Sequence, residues 1–260
     1  MHTIRNISIS FLIPLLAAVA CLLPATPVRA GNGTVVLTVP PEGWAPFVIP
    51  APKQAGRDGI LLEVFRTAAK AAGYDCRVEP RAEREGLMLV RQGRADAAPK
   101  AKEWVSGPER YLWTDPVFLS TDVVASPKGA PVAYRAPADL KGRTVGLVRG
   151  FKYPKLAELV DAGAFTAVRA ASVEELLLLL MRGTIECAVV NPTVAKWVLR
   201  NRDDIAPGDV VLDRNPVDGA PCRFAFTGGD KWASFVARFN EELAAMKKDG
   251  RLAAILNHYQ

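Results

Sequence analysis

Hydrophobic residues recur at two alternating spacings along the chain. Val35-Val36-Leu37-Thr38-Val39 is an apolar run of strand length, halted by Pro40-Pro41. Ile60, Leu61, Val64, Phe65, Ala68 and Ala69 then share one face of a helix. Gly73 follows, suited to the left-handed residue just beyond a helix end. Cys76-Arg77-Val78 predicts a short strand, Leu87, Leu89 and Val90 a second helix closed by Gly93, and residues 95–99 another strand. Strand, helix, strand, helix, strand is the order of a parallel sheet covered by helices.

The pattern starts again after Pro137. Thr144-Val145-Gly146-Leu147-Val148 predicts a strand, Arg149-Gly150 a turn, residues 154–162 a helix and residues 165–168 a strand. Ser172-Val173-Glu174-Glu175 has the form of a capping box, with a helix running through five leucines to Gly183. Ala188-Val189-Val190 is the next strand, and Pro192 opens a helix through Trp197. Residues 222–227 predict a strand, and two amphipathic helices, 231–248 and 251–259, are divided by Gly250. The extended segment 117–126 leads from the first unit to the second, and residues 222–227 lead back. The expected fold is α/β with two lobes, each a mostly parallel sheet flanked by helices, joined by two hinge crossings. The first lobe is discontinuous (residues 31–122 and 224–260), the second continuous (residues 123–223). Clefts between such lobes are preferred small-ligand sites.

Composition narrows the class. At 260 residues, 50% hydrophobic and 23% charged, the chain is neither disordered nor collagen-like nor a small disulfide scaffold. The net charge of +6 comes from basic residues scattered among acids, so no nucleic-acid partner is expected. Arg5, an apolar stretch from Ile7 to Leu23 and the small-residue stop Val28-Arg29-Ala30 describe a secretory signal peptide over residues 1–30, cleaved after Ala30. Pro14, Ser8 and Ser10 argue against a membrane anchor there. A lipoprotein site at Cys21 is the competing reading. Beyond the leader stand Cys76, Cys187 and Cys222, an odd set with no CxxC, in which a Cys187–Cys222 bridge is left open. No HExxH, GxSxG or phosphate-loop pattern occurs, and His258 lies in the last helix. Neither a catalytic residue nor a cofactor nor a metal site is expected.

Several segments then fall in one order across residues 34–259. They are Trp44-Ala45-Pro46-Phe47, the glycine-bounded helix Gly59 to Gly73 with Glu63 inside, and Gly93-Arg94-Ala95-Asp96-Ala97. Pro108-Glu109-Arg110 follows, with Trp113-Thr114-Asp115-Pro116-Val117. Asp139-Leu140-Lys141-Gly142-Arg143-Thr144-Val145-Gly146 and Asp249-Gly250-Arg251-Leu252 complete the set. Together they resemble the type 3 periplasmic solute-binding proteins, the extracellular receptors of many polar amino-acid ABC importers.

The resemblance implies a periplasmic receptor that is not an enzyme, closing on a small amino acid or other carboxylate and serving a membrane permease of an ABC importer. It places Arg110 where a guanidinium clasps a ligand carboxylate, and Trp44, with Phe47 beside it, where an aromatic stacks on the ligand. Arg149, Phe151 and Lys152 lie between a strand and a helix start, where backbone N–H groups and positive charge favour an anion. Asn191 stands where family members holding amino acids present an aspartate to the ligand's ammonium, and Glu103 and Val105 replace small hydroxyl residues. Without that acid the site suits an anionic or carboxylated ligand better, unless Glu103 turns inward. Two alternatives share the fold: a periplasmic lyase of the cyclohexadienyl-dehydratase type, and a soluble sensor partner that presents its ligand to a membrane receptor.

Overall fold

A computed structural model describes residues 33–49 and 57–259; the predicted signal peptide, with Cys21, lies outside these. In chain order the elements are β1 (Gly33–Val39), α1 (Ile60–Ala71), β2 (Tyr74–Pro80), α2 (Glu83–Arg91), β3 (Ala97–Ala101), β4 (Tyr111–Trp113) and β5 (Phe118–Pro127). They continue as β6 (Thr144–Val148), α3 (Ala157–Asp161), β7 (Thr166–Ala170), α4 (Val173–Met181), β8 (Cys187–Val190) and α5 (Pro192–Arg200). The chain closes with β9 (Val210–Thr227), α6 (Ala233–Lys248) and α7 (Arg251–His258).

The strands form one hydrogen-bonded sheet in the order β2-β1-β3-β9-β5-β8-β6-β7, with β4 against β9. Its two ends are parallel, β2-β1-β3 on one side and β8-β6-β7 on the other. The centre is antiparallel, because β5 and β9 run the full distance between the ends in opposite directions. β9 is far longer than the predicted strand at residues 222–227. Its polar first half, with Asp213, Arg214, Asn215 and Asp218, hides strand propensity that pairing to β5 supplies.

Residues 222–226 of β9 pair with β3, and residues 210–212 pair with the far end of β5. Between them the register slips at Asp122/Val123 and at Val123/Ala125. Irregularities of this kind bend and twist a strand pair, here midway between the two parallel ends. Gly219 faces Thr121 at the same place, and a Cβ there would stand 2.9 Å from the Ser120 carbonyl oxygen. Only glycine fits that approach.

On the first end, α1 buries Phe65 against Phe224, Phe226, Phe235 and Phe239, joining β9 to α6 in one aromatic cluster. Such rings remove large apolar areas from water and interlock at tilted angles. Asp96 explains the acid of its Gly-x-x-Asp-Ala turn: it accepts from the Val36 backbone N–H at 2.9 Å and from Lys231 Nζ at 3.0 Å. At the second end, Ser172 caps α4 by accepting from the Glu175 N–H at 3.1 Å. Glu175 reaches back one residue further than a capping box requires, to the Ala171 N–H. The helix predicted over residues 154–162 is a 3-10 turn, Pro154–Leu156, followed by the five-residue α3. Cys76, Cys187 and Cys222 are all free thiols, so the bridge left open by the sequence is not formed. Burial pushes the Cys187 and Cys222 thiols up to about 11 and about 12, which keeps them protonated and inert.

Candidate ligand-binding cleft

A cavity of about 710 Å³ opens where the two ends of the sheet face each other. Its walls come from the carboxyl ends of parallel strands: Thr38 and Val39 end β1 with Pro40 to Trp44 after them, and Arg149 to Lys152 follow β6. Ligands collect there in open α/β sheets because loops and unpaired backbone groups converge at those ends. Ser120 and Asp122 of β5 and Cys222 of β9 complete the lining from the crossing strands.

The lining is strongly charged. Arg149 and Lys152 reach it from one side, and Arg81, Arg84 and Lys100 from the other. Arg81 is engaged with Glu79 at 3.2 Å, and Lys100 with Glu83 at 2.5 Å. Lys152 Nζ donates to the Trp104 carbonyl oxygen at 3.2 Å, a bond that already spans the cleft. Among the described residues Arg149 makes one long contact, 3.4 Å, to the Arg169 carbonyl oxygen. Because α3 is short and follows a separate turn, a helix dipole adds little here. The positive charge resides in the side chains.

Trp44 lines the cavity, its ring 4.3 Å from Phe47, which stacks in turn on Phe118 at 4.8 Å. Phe47 itself is buried against Trp44 and is not part of the cavity lining. Phe151 sits at the rim and is 47% exposed.

Asn191 lines the cavity with its amide already committed. Its oxygen accepts from the Thr193 and Val194 N–H groups at 3.0 and 3.2 Å and caps α5. Its nitrogen donates to Ser120 Oγ at 3.2 Å and to the Thr121 carbonyl at 3.0 Å. The amide oxygen at this predicted ligand position therefore serves the helix.

Two candidates lie elsewhere. Arg110, in the turn Pro108–Arg110, is outside the cavity lining, with its Nε 3.7 Å from Glu109 and its side chain 59% exposed. Glu103 is exposed on the turn Lys102–Trp104, whose last residue, rather than Glu103, reaches the cavity. The turn Pro108–Arg110 folds beside Gly107, held in the left-handed region at φ 69°.

The structure adds Asp122, Arg81, Arg84, Lys100, Ser120 and Trp104 to the site. Arg81 and Lys100 stand at the carboxyl ends of β2 and β3, a position that strand prediction alone could have marked. Asp122 was the lone acid in the apolar segment 117–126. Among the described residues no group of three or more His, Cys, Asp or Glu side chains could hold a metal ion.

The family model for bacterial extracellular solute-binding proteins, family 3, matches residues 37–260. The chain belongs to that family. Among solved structures, the GluR0 ligand-binding core in complex with L-glutamate is 18% identical, with a TM-score of 0.69 over 88% of this chain and 98% of that one. A histidine kinase sensor domain with similarity to periplasmic binding proteins is 23% identical, with a TM-score of 0.69 over 88% and 96%. The second substrate-binding domain of GlnP from Lactococcus lactis, in an open conformation, is 18% identical, with a TM-score of 0.67 over 88% and 96%. No relative is found among the curated proteins. The family-3 chain thus has the two-lobed periplasmic-binding-protein fold, with β5 and β9 as its two crossings.

Proposed function

We propose that this family-3 protein is a periplasmic receptor that captures a small, polar, carboxylate-bearing solute between its lobes and delivers it unchanged to the permease of an ABC-type importer. In this reading the lobes are residues 31–122 with 224–260, and residues 123–223, and closure turns about the irregular stretch of β5 and β9. The carrying observation is the interlobe cavity of about 710 Å³, walled by Arg149 and Lys152 on one side and by Arg81, Arg84 and Lys100 on the other. Its volume suits a ligand of amino-acid or dicarboxylate size with water around it. Similar chains bound to L-glutamate and to L-arginine support the same class of solute.

Export through the predicted leader would place the protein where such solutes arrive. Closure then follows from differential affinity: a carboxylate that bridges Arg149 to the opposite wall gains contacts in the closed state that the open state lacks.

A thermal-shift screen of amino acids, dicarboxylates and other small anions tests the proposal, since a ligand that binds only the folded protein raises its melting temperature by mass action. At least one carboxylate should stabilise the protein, be recovered unchanged after long incubation, and lose most of its effect in Arg149→Ala. A screen with no stabilising carboxylate, or recovery of a converted product, would overturn it.

A further inference from the structure

Among the described residues two acids on the cleft wall have no cation against them: Glu42, which is exposed, and Asp122, which is half-buried. Asp122 lies on β5 directly opposite Asp218 of β9, at the register slip between the lobes, and lines the cavity with Ser120. Asp218 is satisfied: one oxygen accepts from the Gly219 N–H at 2.8 Å, the other from the Lys155 N–H at 3.1 Å. Among the described residues Asp122 has no such partner. Burial, and then the charge of Asp218, push its carboxyl up to about 6.

The other groups around it do not neutralise it. Tyr153, from the turn before α3, uses its hydroxyl to accept from the Val148 N–H at 3.0 Å. Burial, with a smaller contribution from the Asp122 charge, holds Tyr153 neutral. α5 offers only the uncharged Asn191, and Lys100, Arg149 and Lys152 stand elsewhere on the cavity wall, directed to other contacts. Among the described residues Asp122 and Asp218 belong to no group of three or more side chains that could hold a metal ion.

We propose that Asp122 sets the charge of the solute the cleft accepts: ionised, it takes a cationic nitrogen, and protonated, it leaves the cationic walls to select anions. The inference rests on the receptor reading above and adds the residue and the condition that choose between solute classes. It moves the acid that the sequence lacks at Asn191 onto the neighbouring crossing strand. It also makes capture proton-linked, because a cationic nitrogen binds only after Asp122 has lost its proton.

The test compares the common amino acids with their 2-hydroxy analogues by calorimetry at about pH 5 and about pH 7.5, on wild type and Asp122→Asn. The best amino acid should bind about tenfold more weakly at the lower pH, its hydroxy analogue more tightly there, and the variant should lose both trends. A hydroxy acid that equals its amine at the higher pH, or a preference that survives in Asp122→Asn, overturns this proposal and leaves the receptor reading intact. Binding by neither series overturns this proposal, and the receptor reading falls with it only if dicarboxylates and other small carboxylates also fail to stabilise the protein.

Urea unfolding without ligand gives a second readout. A carboxyl raised in the folded state loses stability as pH climbs from its unfolded value, about 4, through its folded value near 6. Asp122→Asn should therefore be more stable than wild type at about pH 7.5 and equal to it at about pH 4. An equal effect at both values would show that Asp122 is already compensated, and the proposal would fail.

Discussion

Asn191 is a residue whose two polar atoms serve two different elements. Its oxygen caps α5 and its nitrogen ties that cap to Ser120 and Thr121 of β5. The pair of variants Asn191→Ala and Asn191→Asp separates these duties. Alanine removes both and should cost about 2–3 kcal/mol in urea unfolding, the sum of a lost cap and the buried hydrogen bonds. Aspartate keeps the cap but turns a donor into an acceptor facing the Thr121 carbonyl, and it adds charge near Asp122. It should therefore destabilise as well, by about 1–3 kcal/mol, and more at neutral pH than in acid. If Asn191→Asp matched wild type, the tether to β5 would carry no weight.

Asn191 also shows how far a residue can be read from sequence. That it ended a strand and opened a helix at Pro192 was legible, because proline at the first helical position and a capping side chain before it are local signals. That the cap would exhaust its oxygen, and that Ser120 would claim its nitrogen from 71 positions away, was not.

At the scale of elements, function depends on where β5 and β9 may bend. Gly219 allows the two backbones to approach, with Ser120 O 2.9 Å and Thr121 Cγ2 3.0 Å from where a Cβ would lie. Gly219→Val should force the strands apart and cost about 1–3 kcal/mol of stability, as overpacking does elsewhere. Hydrogen exchange should then rise along residues 118–123 and 216–222, and a variant with unchanged exchange there would show that the crossing tolerates the side chain. Strand β1 and helix α1 were legible because each carries its own periodicity and stop signal. β9 was only partly legible, since half of it is polar and becomes a strand only by pairing with β5.

For the molecule as a whole, the cavity walls predict which residues couple ligand to shape. X-ray scattering should show compaction when a stabilising carboxylate is added to wild type. Arg149→Ala should abolish that compaction at the same ligand concentration, whereas Arg110→Ala should retain it, because Arg110 lies outside the cavity beside Glu109. Loss of compaction in Arg110→Ala alone would show that the turn Pro108–Arg110 swings inward on closure.

The sequence by itself determined the alternation of strands and helices, the two α/β units and the family-3 pattern across them. Those are properties of local periodicity, capping and glycine placement, and each is settled within one or two turns of chain. Only the tertiary structure decided which charges share the cleft. Asp122 meets Asp218 across 96 positions of sequence, and Arg149 and Arg84 line one cavity, through strand pairing that no local pattern encodes. An aligned motif fixed the place of Arg110 in the chain, but the fold leaves its side chain outside the cavity lining, beside Glu109. Side-chain direction is set by backbone geometry and by what else fills the space, and both are products of the folded whole.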